Sequence, residues 1–576
     1  MGKLYYLLIG VFFVAFFSCT KKQAFLDQTQ TTTLNEQTVF ADSAYSMEFL
    51  NNIYSDIAFS SYPNRFGNAG LDACSDESEG PSSGAVNTYI QFATGTVNPS
   101  IISNDAWSIP YTNIRAVNQF LKHLPNIPFN DSLKKETKGE ALFLRAWYYS
   151  ILLKHYGSIP LIGDKLYNSK DSIPAKRNTY EECVNYIVSQ CDSAAQLLPL
   201  LQSGRDYGRV DGGACMALKA RVLLYAASPL FNGGQIATSE PLRSITGYPT
   251  FDKSRWELAM DAAETVISTN AYSLYVDNST SPGYGFHEVF LMRVNPEYIF
   301  ARMQTLNRDL ESMWFPPFFG GNSEGAYPYL ETANAFGMRN GLPITNPNSG
   351  YDPDHPYSNR DPRFDYSITH DQTLINHYPE LQKLPVNIYI DSTNPVHVLA
   401  GPDAVYNGTP TGFYTNKMCD GGLAIQLFTY VTPRCFPLIR YAEILLDFAE
   451  ARNEWLSSPD QQVYDAVEAI RQRAGLDPYQ LPTGLSQDSM RQIIHHERQV
   501  ELAFEGQRFW DVRRWKIASQ TENEEMHGTV PVKKGSTMIY ETIPVRRHVF
   551  TDKMYLWPIP ESEIAKSPDL LQNPGY

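Results

Sequence analysis

The chain has 576 residues, 43% hydrophobic and 19% charged, with a formal net charge of −15 at pH 7. That length suits two to four domains or one large unit, and the acidic balance excludes binding along a nucleic-acid backbone, which needs clustered Lys and Arg. An aromatic share of 13% with so little charge suits neutral polar ligands such as glycans.

Lys3 gives a short positive start, Leu4 to Phe17 is almost wholly apolar, and Ser18-Cys19 follows. The apolar run is shorter than the roughly 20 residues of a spanning helix, so 1–18 is a secretory signal rather than a membrane anchor. A Cys directly after a small residue resembles a bacterial lipobox. The resemblance implies that Cys19 is lipidated and becomes the first mature residue, with 19–30 as a tether. Several acyl chains at about 0.8 kcal/mol per buried CH₂ hold such a protein stably at a bilayer. The other six cysteines are scattered with no CxxC. Cys183 and Cys191 lie about 12 Å apart by helical rise, too far for a disulfide.

Helical patterns dominate 31–270. Phe40, Tyr45, Phe49, Ile53 and Ile57 give 38–58 an apolar face, and a second helix is expected over 104–124. A third, over 131–156, carries Ala141, Leu144, Tyr148, Ile151 and Leu152 and stops at Gly157, with Pro160 beyond. Thr179-x-x-Glu182 reads as a capping box opening a helix to Leu198, and Ser254-x-x-Glu257 as another opening a helix to Ser268. Small and apolar residues from Ala214 to Ala227 suit a closely packed helix.

Between 271 and 435 the periodicity disappears. Gly, Pro, Asn, Asp and Tyr crowd together, as in Trp314-Phe315-Pro316-Pro317-Phe318, and predict a loop-rich aromatic insertion with short strands. Loops of that length are more often functional than idle. Helices return at 440–456, 461–473 and 486–507, and the remainder of 436–576 reads as irregular. The paired helices suggest an α-solenoid-like core, with 31–576 as one compact unit.

Four segments in order are similar to the SusD/RagB family of surface nutrient-binding lipoproteins. The strongest runs from Glu497-Arg498-Gln499-Val500-Glu501 through Phe504-Glu505-Gly506-Gln507-Arg508 to Arg513-Arg514-Trp515. The others are Arg440-Tyr441-Ala442-Glu443 to Ala451, Glu140-Ala141-Leu142 to Tyr149 with Tyr156-Gly157-Ser158-Ile159-Pro160-Leu161, and Leu556-Trp557-Pro558-Ile559-Pro560 to Asn573-Pro574-Gly575-Tyr576. The resemblance implies a mainly α fold on tetratricopeptide-like helix pairs, no catalysis and no required cofactor. It implies an outer-membrane, surface-facing lipoprotein that passes oligosaccharides to a SusC-like TonB-dependent barrel, or peptides in some branches. A lipid-anchored glycoside hydrolase is the reading of another class, because the separation of a carboxylate pair is three-dimensional.

The motifs themselves read as fold support: Arg508, Asp511, Arg513 and Arg514 can knit a charged network, and Glu443 and Glu450 can pair with arginines. Glycan binding needs flat apolar surfaces with polar groups at the rim. The candidates are Trp314 in its Pro-rich loop, Tyr327, Tyr329 and Arg339 downstream, and the early acidic run Asp72, Asp76, Glu77 and Glu79. Hard oxygen ligands cluster in that run, the chemistry calcium takes, although EF-hand spacing is absent. Trp107 and Tyr111, four apart on a helix, read as core. Gly80-Pro81-Ser82-Ser83-Gly84 matches G-x-S-x-G but lacks the preceding strand, and His495-His496-Glu497 lacks the spacing of H-E-x-x-H.

Overall fold

Caps and helical periodicity anticipated in the sequence set the first half of the computed structural model. It describes residues 35–81, 88–168, 170–171, 173, 175–322, 324–394, 398–427, 429 and 431–576. The signal, Cys19, the tether and the Ser82-Ser83 pair lie outside the described residues.

The helices of the frame are α1 (Ser43–Ile53), α2 (Ser108–His123), α3 (Asp131–Tyr156), α4 (Tyr180–Ala195), α5 (Gly212–Ala227), α6 (Ser254–Ser268), α7 (Tyr441–Trp455), α8 (Gln461–Arg473), α9 (Gln487–Glu501) and α10 (Arg508–Arg514). The Asn130 side chain caps α3 on Leu133 N–H, and Gly157 ends it. Trp147 Nε1 donates to Ile57 O at 2.9 Å and Tyr148 OH to Ile53 O at 2.6 Å, which pins α3 to the end of α1. The Thr179–Glu182 capping box is present at α4. At α6 the Ser254 box is not. Asp252 Oδ1 instead accepts from both the N–H and the hydroxyl of Ser254, so the starting signal sits two residues earlier. All six described cysteines are buried free thiols.

Each helix from α2 to α6 packs against the next, and α7 then packs on α6 and α5. The helical stack is therefore continuous in space although 172 residues of sequence separate α6 from α7. Strands β1 (Ser78–Glu79), β2 (Tyr298–Met303), β3 (Tyr327–Pro328), β4 (Leu374–His377), β5 (Gln382–Pro385), β6 (Ile390–Asp391), β7 (Leu399–Ala400) and β8 (Cys435–Arg440) lie in or beside that intervening stretch. β2 pairs antiparallel with β8, from Tyr298↔Arg440 to Met303↔Cys435, and this ladder closes the insertion at its base.

The C-terminal region differs from the irregular chain expected there. β9 (Glu525–Lys534) and β10 (Thr537–Arg547) form a long hairpin, closed by a two-residue Gly535-Ser536 turn in which Gly535 takes φ 68°. β9 also pairs parallel with β6, giving a four-stranded sheet in the order β10-β9-β6-β7. The helix expected over 486–507 ends at Glu501, because Phe504 (φ 58°) and Gly506 (φ 69°) turn the chain left-handed before α10. One hydrophobic core runs from Phe40 to Leu570, and a smaller one joins Phe336, Phe364, Phe413 and Phe504.

Candidate ligand-binding site

The structure brings most of the sequence candidates together, but inside the protein. Trp314 is 2% exposed at the end of a short helix, Asp309–Trp314, and offers no face to solvent. Tyr327 pairs with Glu79 across β1 and β3, and its ring meets Tyr414 edge-on at 5.8 Å. Tyr329 OH donates to Glu79 Oε2 at 3.0 Å and lies 3.0 Å from His548 Nε2. Burial, then the Glu79 charge, push the Tyr329 phenol well above its usual range. Arg339 is exposed and apart, on a bridge between Met338 and Arg360 and beside Asp477. None of these four positions presents an open aromatic face of the kind expected of Trp314.

The acidic run is a brace. Asp72 Oδ1 accepts from Gly506 N–H at 3.1 Å and Glu77 Oε1 from Phe504 N–H at 3.0 Å, so the two carboxyls cap the left-handed turn between α9 and α10. Asp76 takes a two-pronged bond from Arg508, and Glu79 another from Arg546. Burial raises the Asp72 carboxyl to about 6, and burial together with the Asp72 charge raises Glu77 well above the carboxylate range. Each of the four carboxyls is held by at least one N–H group, and no His, Cys, Asp and Glu cluster suited to a metal occurs among the described residues.

Beyond the brace lies a buried ionic lattice. Glu501 receives Arg440 at 2.7 Å and Arg363 at 3.0 Å, and also contacts Arg473. Burial alone would raise its pKa, but the guanidiniums of Arg473, Arg440 and Arg363 overcome burial and hold it at about 2. Glu505 binds Arg440 and Lys417, Glu450 binds Arg514, and Arg498 joins Asp447 to Asp511. Glu443 pairs with Arg221. His495 stacks on Trp515 at 3.6 Å, while His496 reaches Ala335 O.

An open face of different character lies on the insertion. Phe318, four residues after Trp314, is 44% exposed and stacks on His377 with centroids 4.3 Å apart and an interplanar angle of 8°. One ring face is thus fixed and the other left to solvent. Its backbone is held as well: Phe318 N–H donates to Asp403 Oδ1 at 2.8 Å, and the 3-10 turn Pro317–Phe319 ends at Gly320 with φ 91°. Burial raises Asp403 to about 6. Tyr378 follows His377 on the hairpin tip, 44% exposed, and Tyr406, 72% exposed, follows Asp403 on a tight turn. Tyr406 has φ 71°, a left-handed conformation uncommon for a bulky residue and often met at functional sites.

Polar groups rim this face. Exposed Asn322 follows Gly320, and Gln426 reaches Phe318 O. Asn68 Nδ2 donates to Glu324 Oε2 at 3.2 Å, joining the early loop to the insertion. The early loop therefore reaches this exposed part of the insertion at Asn68 rather than through the acidic run. Exposed aromatics elsewhere among the described residues, Tyr45 and Phe251, stand apart from this cluster. A cavity of about 760 Å³ opens between α2 and residues 563–570, but Trp107 there is 6% exposed and turned onto Tyr156 and Tyr111.

The fold is that of SusD-like proteins. A SusD-like protein from Bacteroides fragilis matches over 94% of this chain and 98% of its own, with TM-score 0.75 and 26% identity. A SusD-like carbohydrate binding protein from the same species matches over 93% and 100%, with TM-score 0.72 and 20% identity. SusD-like protein P2 from Formosa agariphila is 22% identical over 488 residues, 82% of this chain and 80% of that protein. The SusD family model matches residues 296–576, and a model described as "Starch-binding associating with outer membrane" matches residues 24–224. The chain belongs to the SusD/RagB family.

Proposed function

We propose that this protein is a non-catalytic, lipid-anchored outer-membrane protein that captures oligosaccharides and passes them to a SusC-like TonB-dependent barrel. The Phe318–His377 stack carries the reading: one aromatic ring is fixed from behind and open in front, with amides at its rim. A flat apolar face takes the C–H side of a sugar ring, and the amides take hydroxyls. The carbohydrate-binding name of one structural relative and the starch-binding description of the N-terminal family model support the ligand class. Cys19 supplies the anchor, and no described helix is long and apolar enough to cross a membrane.

Calorimetry of the purified protein against neutral and anionic oligosaccharides and peptides tests the capture role. Binding of a glycan without release of reducing sugar, weakened by Phe318→Ala, is the expected result. Binding of peptides alone, or turnover of the glycan, would sink it. Radiolabelled palmitate incorporation, lost in Cys19→Ala, tests the anchor, and co-purification with a TonB-dependent barrel from solubilised outer membranes tests the partner.

A further inference from the structure

The open face has a charge pattern that speaks to the kind of glycan. It is built from the described residues of five segments: 64–70, 317–326, 374–382, 401–408 and 424–427. Together they contain a single Lys or Arg, Arg65. Arg65 is 5% exposed, its guanidinium turned inward onto Asn104 O and Ser60 O. Exposed carboxylates, by contrast, stand on two of these segments. Glu324 is exposed and held by Asn68. Glu380, its side chain 41% exposed, sits 2.7 Å from His377 Nδ1, so any positive charge on the histidine is already matched.

The nearest hairpin lysine points the other way. Side chains alternate across a strand, and residues opposite one another in a ladder share a face. His377↔Gln382 lies on the side of Phe318, whereas Asn376↔Lys383 lies on the opposite side, where Asn376 reaches Gly422 O. Sulfate and carboxylate groups are recognised by guanidinium or ammonium groups in charge-assisted pairs. Among the described residues the one guanidinium bonded to these segments from outside them, Arg308, is half-buried and held on Ile425 O, and the face presents like charge instead.

We propose that the site selects uncharged oligosaccharides and rejects sulfated and uronate-containing ones, with Glu324 and Glu380 as the rejecting groups. The proposal rests on the glycan-capture reading of the same face. Rejection by like charge is a recognised route to specificity, and it makes a salt-dependent signature, because screening removes it.

The test compares laminarihexaose, maltohexaose and xylohexaose with hexagalacturonate, an alginate hexamer and κ-carrageenan oligosaccharides, all with a chelator present to prevent calcium bridging. At about 50 mM salt, the protein is expected to bind at least one neutral probe about ten-fold or more tighter than any anionic one. Combining Glu324→Lys with Glu380→Lys should raise the anionic-to-neutral affinity ratio about ten-fold, less so at about 1 M salt. Glu324→Gln with Glu380→Gln should raise it by a smaller factor. Anionic probes that bind the wild type as tightly as neutral ones, with binding still dependent on Phe318, overturn the selection and leave glycan capture standing. An unchanged ratio in the lysine variant does the same. Absence of binding by every probe, or binding indifferent to Phe318→Ala, defeats glycan capture and the selection with it.

Discussion

Two regions of this protein handle polar groups in opposite ways. Around α9 and α10, charge is buried and paired: Glu501 meets three guanidiniums, Asp76 meets Arg508, and Asp72 and Glu77 cap the Phe504–Gly506 turn. On the insertion, an aromatic ring and a set of amides are held in place by the backbone and left open to water. The two family segments 440–451 and 497–515 belong to the first region, and the residues suited to a ligand belong to the second. Burying a charge without a partner is prohibitive, so the lattice tolerates little change. The open face is bound by no such rule, and its loops are free to suit a particular ligand.

The widest separation between the regions is expected from two aromatic truncations four residues apart. Trp314→Ala removes a buried side chain and should cost about 3–5 kcal/mol of stability. Phe318→Ala should cost no more than about 0.5 kcal/mol, while weakening ligand binding about ten-fold. Urea unfolding and calorimetry on both variants check this. Equal stability losses would mean that Phe318 is a core residue, and the comparison would fall.

The second test is pH. Asp403 joins the regions, being buried at 2% exposure yet bonded to the N–H of Phe318. Burial lifts its pKa from 3.8 to about 6, so the folded state binds this proton more tightly than the unfolded state. Its stabilising contribution is complete below about pH 4 and is lost as pH rises through about 6. At about 1.36 kcal/mol per unit, the loss is at most about 3 kcal/mol. Asp403→Asn should remove that loss while its amide oxygen still accepts from Phe318. The stability of the variant relative to wild type should therefore rise between about pH 4 and pH 6 and then level off. Parallel profiles would show that Asp403 does not titrate in this window.

Much of the frame is legible in the sequence because helices announce themselves locally. The Thr179–Glu182 box, the stop at Gly157 and the periodic stripe of α3 all do so. The β9–β10 hairpin was hidden by Pro531 and Pro544, which read as strand breakers, although Gly535-Ser536 marked its turn. The candidate site was harder, since sequence places Trp314 and Phe318 in one aromatic loop without saying which faces water. That depends on a helix ending at Trp314 and on Asp403, 85 residues away, fixing the next turn. The acidic run misled for a similar reason. Its oxygens look free until the Phe504–Gly506 turn, more than 400 residues on, supplies their N–H donors.

The smallest effect concerns Tyr406 and separates strain from function within the open face. Its left-handed φ of 71° disfavours a bulky side chain, and its 72% exposure returns little burial energy. Asn is far better suited to that conformation. Tyr406→Asn should therefore stabilise the protein by about 1 kcal/mol, the lower end of what such strain costs. If the tyrosine is held outward to touch ligand, the same change should weaken binding several-fold, so that stability and affinity move in opposite directions. A gain in stability with affinity intact would confine the site to Phe318, His377 and the amide rim. A loss of stability would show that the ring packs against its own loop, and that Tyr406 belongs to the region that holds the site rather than to the site itself.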